Sequence, residues 1–374
     1  MAAALYGRPP SFVHCRRLTD EHGMVQFALG DKPDLAFGYC TDDNARALLI
    51  CVMALRVHDA LGAQAQSPDP AIEYVGERAL AFLRKAQRPD GLFHNLMDAG
   101  GQFIDEIGSQ ECLARSLWAC AVTVRCAPNE SWRQSAGEIL RLALTRLDCL
   151  QALRARAYAI LALTAAVAPQ LAAPVAPLAL QLDAGLEETA RTALDAQARR
   201  LEAEFHAGAV QGWDWWEPEL TWGNARLPEA LLRAACATRD ARLKSTGLRA
   251  LHFLSSLTQP GDTFEAIGNK DWCRRGGARA TYDQQPIEAC AMVDAWLAAA
   301  RATGDEAFAH KALAAFAWFF GSNSEGISLA RPDIGGCYDG LMPGRPNLNM
   351  GAESTLSYLH AHLAIAAGLR LGQR

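Results

Sequence analysis

Residues 38–55, GYCTDDNARALLICVMAL, join a glycine-containing loop to an apolar helix, and this join decides the fold. Residues 45–55 are apolar on nearly every side, which predicts a helix that is buried from two directions. Thr41 or Asp42 is expected to cap the helix, and one carboxylate would then remain free for a pocket.

The same pattern of a polar loop entering a small-residue apolar helix occurs six times. The six helix starts are near Thr41, Ser109, Arg154, Asn224, Gln284 and Asn349. Between them lie amphipathic segments with one charged face, at residues 71–86, 132–147, 186–205, 240–257 and 305–320. Alanine and leucine dominate, and no stretch alternates convincingly with period two, so helix is expected throughout.

This alternation of buried and amphipathic helices predicts an inner ring wrapped by an outer ring. We therefore expect an all-α fold, the (α/α)₆ toroid or six-hairpin double ring, with residues 1–374 in a single domain. A helical solenoid is the alternative, but its repeats usually keep a fixed period, whereas these helix starts are unevenly spaced. In a closed ring, the six polar loops would gather at one end around a common pocket.

Composition excludes several classes of function. The net charge of −5 offers no basic field for nucleic acid, and no apolar run approaches the roughly 20 residues of a membrane helix. The 11 cysteines form no Cys-x-x-Cys pair, which favours reduced thiols and a cytoplasmic location. No His/Cys/Asp set has zinc spacing and no nucleotide motif is present, so neither a metal nor a cofactor is expected.

Acidic residues cluster in the loops at the helix starts. A single carboxylate there is explained by helix capping, but six such loops carry more acids than capping requires. Cleavage of a glycosidic bond needs a carboxyl group as proton donor and a carboxylate as base or nucleophile. The candidate catalytic residues are Asp43, Glu217, Glu111, Asp283 and Asp42, with Glu353 in reserve.

Tryptophans concentrate in residues 212–217, GWDWWE, and at Trp222. In a loop, such rings predict a stacking platform for a sugar. Glu217 among these rings is the expected general acid, because apolar surroundings raise a carboxyl pKa. Asp43 near Arg46 is the expected general base. Further candidates for substrate binding are His22, Tyr39, Arg46, His94, Trp215, Trp216, Trp222, Asn224, Arg226, Glu229, Tyr282, Gln284, Tyr338, Asp339, Asn349 and Glu353.

Four motifs carry a resemblance to a known family: residues 38–47, 224–229 (NARLPE), 335–340 (GGCYDG) and 351–356 (GAESTL). They resemble a bacterial family of six-hairpin, glycosidase-like proteins, and the likeness extends from about His22 to about His360. Many members follow a glycosyltransferase domain, which implies a functional link to a glycosyltransferase. The architecture is more distantly similar to inverting (α/α)₆ glycoside hydrolases, including those acting on β-1,2-linked glucans, and to N-acylglucosamine 2-epimerases.

Three functions remain open. The first is an inverting glycoside hydrolase acting on an oligo- or polysaccharide, with two carboxyl groups about 6.5 to 9.5 Å apart. The second is a sugar isomerase or 2-epimerase, which needs a histidine pair facing one carbon. The third is a carbohydrate-binding module without catalysis. In each case the partner is a carbohydrate, with no nucleic acid and no membrane.

Overall fold

The computed structural model describes residues 9–61, 67–171, 183–259, 261 and 263–371. In chain order, the helices of these residues are α1 (Val13–Leu18), α2 (Thr41–Leu61), α3 (Pro70–Ala86), α4 (Gln110–Cys126), α5 (Glu130–Ala143), α6 (Leu153–Val167), α7 (Ala184–Gly208), α8 (Arg226–Thr238), α9 (Ala241–Thr258), α10 (Pro286–Thr303), α11 (Ala307–Ala317) and α12 (Ala352–Leu371). Two 3₁₀ turns cover Leu144–Cys149 and Pro169–Leu171.

The even-numbered helices form a closed inner ring. Each packs against the next even-numbered helix, and α12 packs back against α2. Nearly every residue of α6 is buried, as expected for a helix enclosed on both sides. This closure confirms the predicted (α/α)₆ toroid and excludes an open solenoid.

The outer helices bury one face each. In α5 the buried residues are Trp132, Ala136, Ile139, Leu140 and Ala143, which repeat every three or four positions along one face. Aspartates cap three of these helices, and Asp69 accepts a hydrogen bond of 2.9 Å from the Ala71 amide at the start of α3. The short helix α1 was not predicted.

Short strands, which were also not predicted, lie at one end of the ring. They are β1 (Val25–Leu29), β2 (Lys32–Cys40), β3 (Leu96–Met97), β4 (Glu219–Leu220), β5 (Cys273–Arg274), β6 (Ala330–Arg331), β7 (Gly336–Cys337), β8 (Gly340–Met342) and β9 (Arg345–Asn347). All lie in segments that precede an inner helix, and they pair antiparallel. Backbone pairing therefore fixes the loops around the mouth of the ring.

All eleven cysteines are unpaired, and most are buried. No helix of the described residues is long and apolar enough to cross a membrane. The cytoplasmic location and the single domain stay predictions.

A glycine allows α3 and α5 to touch. A Cβ atom at Gly76 would lie 2.1 Å from the ring of Trp132, which is itself buried. We predict that Gly76→Ala lowers the free energy of unfolding by about 1–3 kcal/mol, because overpacking forces the helices apart. Denaturant unfolding followed by circular dichroism measures it.

Gly137 is the matched control, since a Cβ atom there meets nothing closer than 3.9 Å. Gly137→Ala is expected to raise stability by about 0.5–1 kcal/mol through helix propensity. Equal effects of the two substitutions would contradict the packing argument.

Candidate functional site

A cavity of about 600 Å³ opens at the end of the ring where the inner helices begin. We call it the central cavity. Its walls come from the first turns of α2, α4, α10 and α12 and from the loops before them. The lining residues are Gln26, Phe27, Cys40, Asp42, Asp43, Arg46, Asn95, Ser109, Glu111, Arg115, Trp222, Asn269, Trp272, Gln285, Ile287 and Glu353. The structure thus brings together six predicted site residues: Asp42, Asp43, Arg46, Glu111, Trp222 and Glu353.

One guanidinium group organises two of the carboxylates. Arg46 donates from Nη1 to Asp43 Oδ1 at 2.6 Å and from Nη2 to Glu353 Oε2 at 2.8 Å. Asp43 is only 5% exposed, and the Cys40 thiol donates to its second oxygen at 3.1 Å. Burial raises the pKa of Asp43, and Arg46 offsets only part of that effect.

Neither Thr41 nor Asp42 is used to cap α2. The Thr41 hydroxyl donates to the His94 carbonyl at 2.6 Å, and Cys40 Sγ accepts from the Asp43 amide. Both aspartates are therefore available to the cavity, not one as expected. Asp42 lies 3.3 Å from Arg115 Nε in an ion pair.

Glu111 differs from the other carboxylates because it has no hydrogen-bond or ion-pair partner among the described residues. It lies in the first turn of α4, where the helix dipole favours a negative charge. Its oxygens are free to accept a hydrogen bond from water or substrate.

A smaller cavity of about 230 Å³ adjoins the central cavity, and we call it the side lobe. Two predicted residues, Asp283 and Asp339, line it, and Glu353 lines both cavities. The Gly351 amide donates to Asp339 Oδ1 at 2.8 Å. Burial raises the pKa of Asp339.

The floor of the central cavity narrows to a space of about 30 Å³ in the middle of the ring. Arg226, a predicted site residue, lines it and donates from Nη1 to Glu229 and to Asp294, each at 2.6 Å. His360 Nε2 lies 2.8 Å from Asp294 Oδ2. Burial alone would raise the pKa of Asp294, but His360 and Arg226 outweigh it, so this pKa lies below its ordinary value.

Cys290, Asp294 and His360 come together with their ligand atoms within 4.8 Å of one another. Such a set could hold a metal ion, yet Arg226 already donates to both Asp294 and the Cys290 sulfur. Two of the three donors are therefore already bonded to a protein cation, and the set does not fit a metal ion.

The predicted tryptophan platform is largely wrong. Trp215 and Trp216 are buried, and their rings pack against each other and against Phe205 and Phe253 of the outer helices. A ring enclosed in this way cannot stack on a sugar. Trp222 alone of the predicted rings lines the central cavity.

Glu217 does not line the central cavity, the floor or the side lobe. It accepts from Arg154 Nη1 at 2.9 Å, and Arg154 also donates to the Trp222 carbonyl. The backbone after Trp222 is held from the other side, because Gly223 and Asn224 donate to the buried Glu288. Glu217 and Asn224 thus belong to the support of the Trp222 loop, which corrects the role of general acid expected for Glu217.

Other predicted residues also serve the framework. The Tyr39 hydroxyl donates to Asp20 at 2.6 Å, and His22 lies edge-on to that ring. His94 stacks on Phe103 and donates from Nδ1 to the Asp105 carbonyl at 2.7 Å.

Within the loops before α10 and α12, four more predicted residues are engaged elsewhere. The Gln284 side-chain oxygen accepts from the Trp318 indole at 2.9 Å, and Tyr282 donates to Glu325. Asn349 accepts from the Gly30 amide at 3.1 Å, and the Tyr338 hydroxyl accepts from Arg331. Glu229 is buried under Arg226 and Arg233. None of these five lines the central cavity, its floor or the side lobe.

Sequence reasoning missed several lining residues, among them Arg115, Trp272 and His360. Arg115 had a usable signal, because it follows Glu111 at the four-residue spacing that separates Asp42 from Arg46. Trp272 lies in a loop with left-handed backbone, φ 53°, and nothing in its local sequence marks it. His360 carries no local signal either, because its partner Asp294 lies on another helix.

The buried ion pairs at the floor of the cavity should contribute to the stability of the protein. Arg226→Met should lower the free energy of unfolding by about 3–5 kcal/mol, because Asp294 and Glu229 would stay buried with less counter-charge. Arg249→Met is the control, since Arg249 is half exposed in its ion pair with Asp214 and should cost no more than about 1 kcal/mol. Denaturant unfolding measures both variants. Similar losses of unfolding free energy in the two would contradict the role of Arg226 as the counter-charge of the buried acids.

No protein-family model matches the chain, and no curated protein matches it. Among solved structures, it is similar to a sugar epimerase from a ruminal bacterium, at 13% identity over 99% of both chains with a TM-score of 0.71. It is similar to cellobiose 2-epimerase from Spirochaeta thermophila, at 11% identity over 100% of this chain and 96% of that one, with a TM-score of 0.71. The GH76 α-mannanase of Bacteroides thetaiotaomicron gives 8% identity over 90% and 88%, with a TM-score of 0.57. The chain thus shares the (α/α)₆ fold of carbohydrate-active enzymes.

Proposed function

We propose that the chain is a glycoside hydrolase that acts on an oligo- or polysaccharide with inversion at the anomeric carbon. The observation that supports this most is the set of four carboxylates on the wall of one cavity, of which one is buried and one is unpartnered. Two carboxyl groups in different environments can divide the roles of acid and base.

Asp43 is the proposed general acid. Its raised pKa favours the protonated form, which gives its proton to the glycosidic oxygen as the bond to the anomeric carbon breaks. The carboxylate left behind is stabilised by Arg46 at 2.6 Å. This reverses the role of base that the sequence suggested for Asp43, because burial dominates over the arginine.

Glu111 is the proposed general base. Its unengaged oxygens can take a proton from water while the water oxygen attacks the anomeric carbon from the opposite face. Asp43 loses one proton and Glu111 gains one in each turnover, and exchange with solvent restores both. Trp222 and Trp272 offer ring surfaces for the sugar.

A sugar isomerase or 2-epimerase is the second candidate. The buried pair of His360 and Asp294 at the floor favours it, because a histidine held by a carboxylate can act as a base. It ranks lower because no second histidine lines the cavity or its floor among the described residues. Binding of carbohydrate without turnover, and a functional link to a glycosyltransferase, remain further proposals.

The first test uses substitution of the two carboxyl groups. Asp43→Asn and Glu111→Gln should each lower kcat/KM by about 10²–10⁴-fold on any glycan that the parent protein cleaves. The assay follows reducing ends released from cello- and manno-oligosaccharides. These sugars are chosen because a cellobiose 2-epimerase and an α-mannanase are among the proteins of similar fold. Proton NMR of the same mixtures reports the anomer formed and separates hydrolysis from epimerisation.

Asp59→Asn is the matched control for the acid. Asp59 lies on the same helix as Asp43 but at its far end, in an ion pair with Arg56, and its side chain is 46% exposed. Its substitution should leave kcat/KM unchanged. Full activity in both Asp43→Asn and Glu111→Gln would remove the proposal.

The pH profile provides a separate prediction. Because the acid must be protonated and its pKa is raised, activity should fall on the alkaline side only above the ordinary aspartate pKa. A profile of kcat/KM in which activity rises as Asp43 ionises would mean that Asp43 works as base or nucleophile instead.

A further inference from the structure

The side lobe and the central cavity share a wall. Gln26, Phe27, Asn269, Gln285 and Glu353 line both, so a ligand that fills one reaches directly into the other. Glu353 stands at this boundary, bonded to Arg46 and close to the proposed acid Asp43.

The side lobe is built from hydrogen-bonding groups. Its lining residues are Gln26, Phe27, Asn269, Asp283, Gln285, Asp339, Gly340, Met342, Asn347, Gly351, Glu353 and Ser354. Three of these residues are acidic and four carry carboxamides, whereas none of them is lysine or arginine. Such a surface suits a ligand that offers many hydroxyl groups, because carboxylates accept from hydroxyls and carboxamides both donate and accept.

Two details indicate that the side lobe has hydrogen-bonding capacity to spare. Asp283 Oδ1 is buried and has no hydrogen-bond partner in the described part of the chain. The Asp283 carboxylate lines the side lobe and accepts no hydrogen bond from the described residues, so its accessible part is open to a ligand hydroxyl. A Cβ atom at Gly351 would lie 3.1 Å from the Gln26 carbonyl and 3.2 Å from Asp339 Oδ1, so glycine keeps this corner open.

We infer that the side lobe is a second sugar subsite that takes an uncharged, hydroxyl-rich sugar unit and rejects a uronic acid. The inference rests on the proposed function and adds a substrate class: neutral chains of at least two sugar units, bound across the wall that carries Glu353. A uronate carboxylate would meet Asp283, Asp339 and Glu353 without a free cation, since Arg46 already serves two carboxylates.

The test measures binding, so it does not depend on turnover. Calorimetry on the Asp43→Asn protein compares glucose with cellobiose, mannose with mannobiose, and both disaccharides with digalacturonic acid. We expect one neutral disaccharide to bind at least about tenfold more tightly than its monosaccharide, and digalacturonic acid not to bind. Adding Asp283→Asn should weaken the binding of the disaccharide by about five- to twentyfold and leave the affinity for the monosaccharide unchanged.

Asp59→Asn in the same background is the control and should change none of these affinities. Equal affinity for one and two sugar units, tight binding of digalacturonic acid, or an effect of Asp283→Asn on the monosaccharide alone would overturn the subsite. Absence of binding by all five sugars at millimolar concentration would overturn it as well. If length dependence is found but no glycan is ever cleaved, the subsite stands and the hydrolase proposal fails. If cleavage requires Asp43 but the affinity for the disaccharide does not change on Asp283→Asn, the hydrolase proposal stands and the subsite fails.

Discussion

Arg46 joins the two ends of the inner ring at the point where chemistry is expected. It projects from α2, the first inner helix, and its guanidinium holds Asp43 of the same helix and Glu353 of α12, the last one. The ring must close for this contact to exist, because the two carboxylates are more than 300 residues apart in the chain. The fold is thereby coupled to the electrostatics of the cavity, where burial raises the pKa of Asp43 and one arginine limits the repulsion between two acids.

Beneath the cavity, a second and buried arginine repeats this arrangement. Arg226 is bonded to Glu229 of its own helix and to Asp294 of α10, and His360 of α12 completes the cluster. Three inner helices are held by charges that would be costly to bury singly. The buried ion pairs of the floor and the strand pairing of the loops above it hold the walls of the cavity from below and from above.

The helices could be predicted from sequence because their signals are local. The predicted starts at Thr41, Ser109 and Arg154 fall within one residue of the observed helices, since a polar loop followed by a run of small apolar residues leaves little alternative. The same local signals identified Asp42, Asp43 and Glu111, which lie in first turns that face the cavity. The positions of the loop residues were harder to predict from sequence. Trp215 and Trp216 have the composition of a binding loop, but neighbouring outer helices cover them, and no short-range pattern reveals that cover. Glu217 was misplaced for the same reason, because its partner Arg154 lies 63 residues away.

The most direct test of the central claim is a crystal structure of the Asp43→Asn protein with an oligosaccharide from the set it binds. The account predicts a glycosidic oxygen within hydrogen-bonding distance of residue 43, with Glu111 and a water on the opposite face of the sugar ring and Trp222 against it. A sugar bound at any other place on the molecule, or one whose ring faces His360 with Asp43 and Glu111 both out of reach, would contradict it.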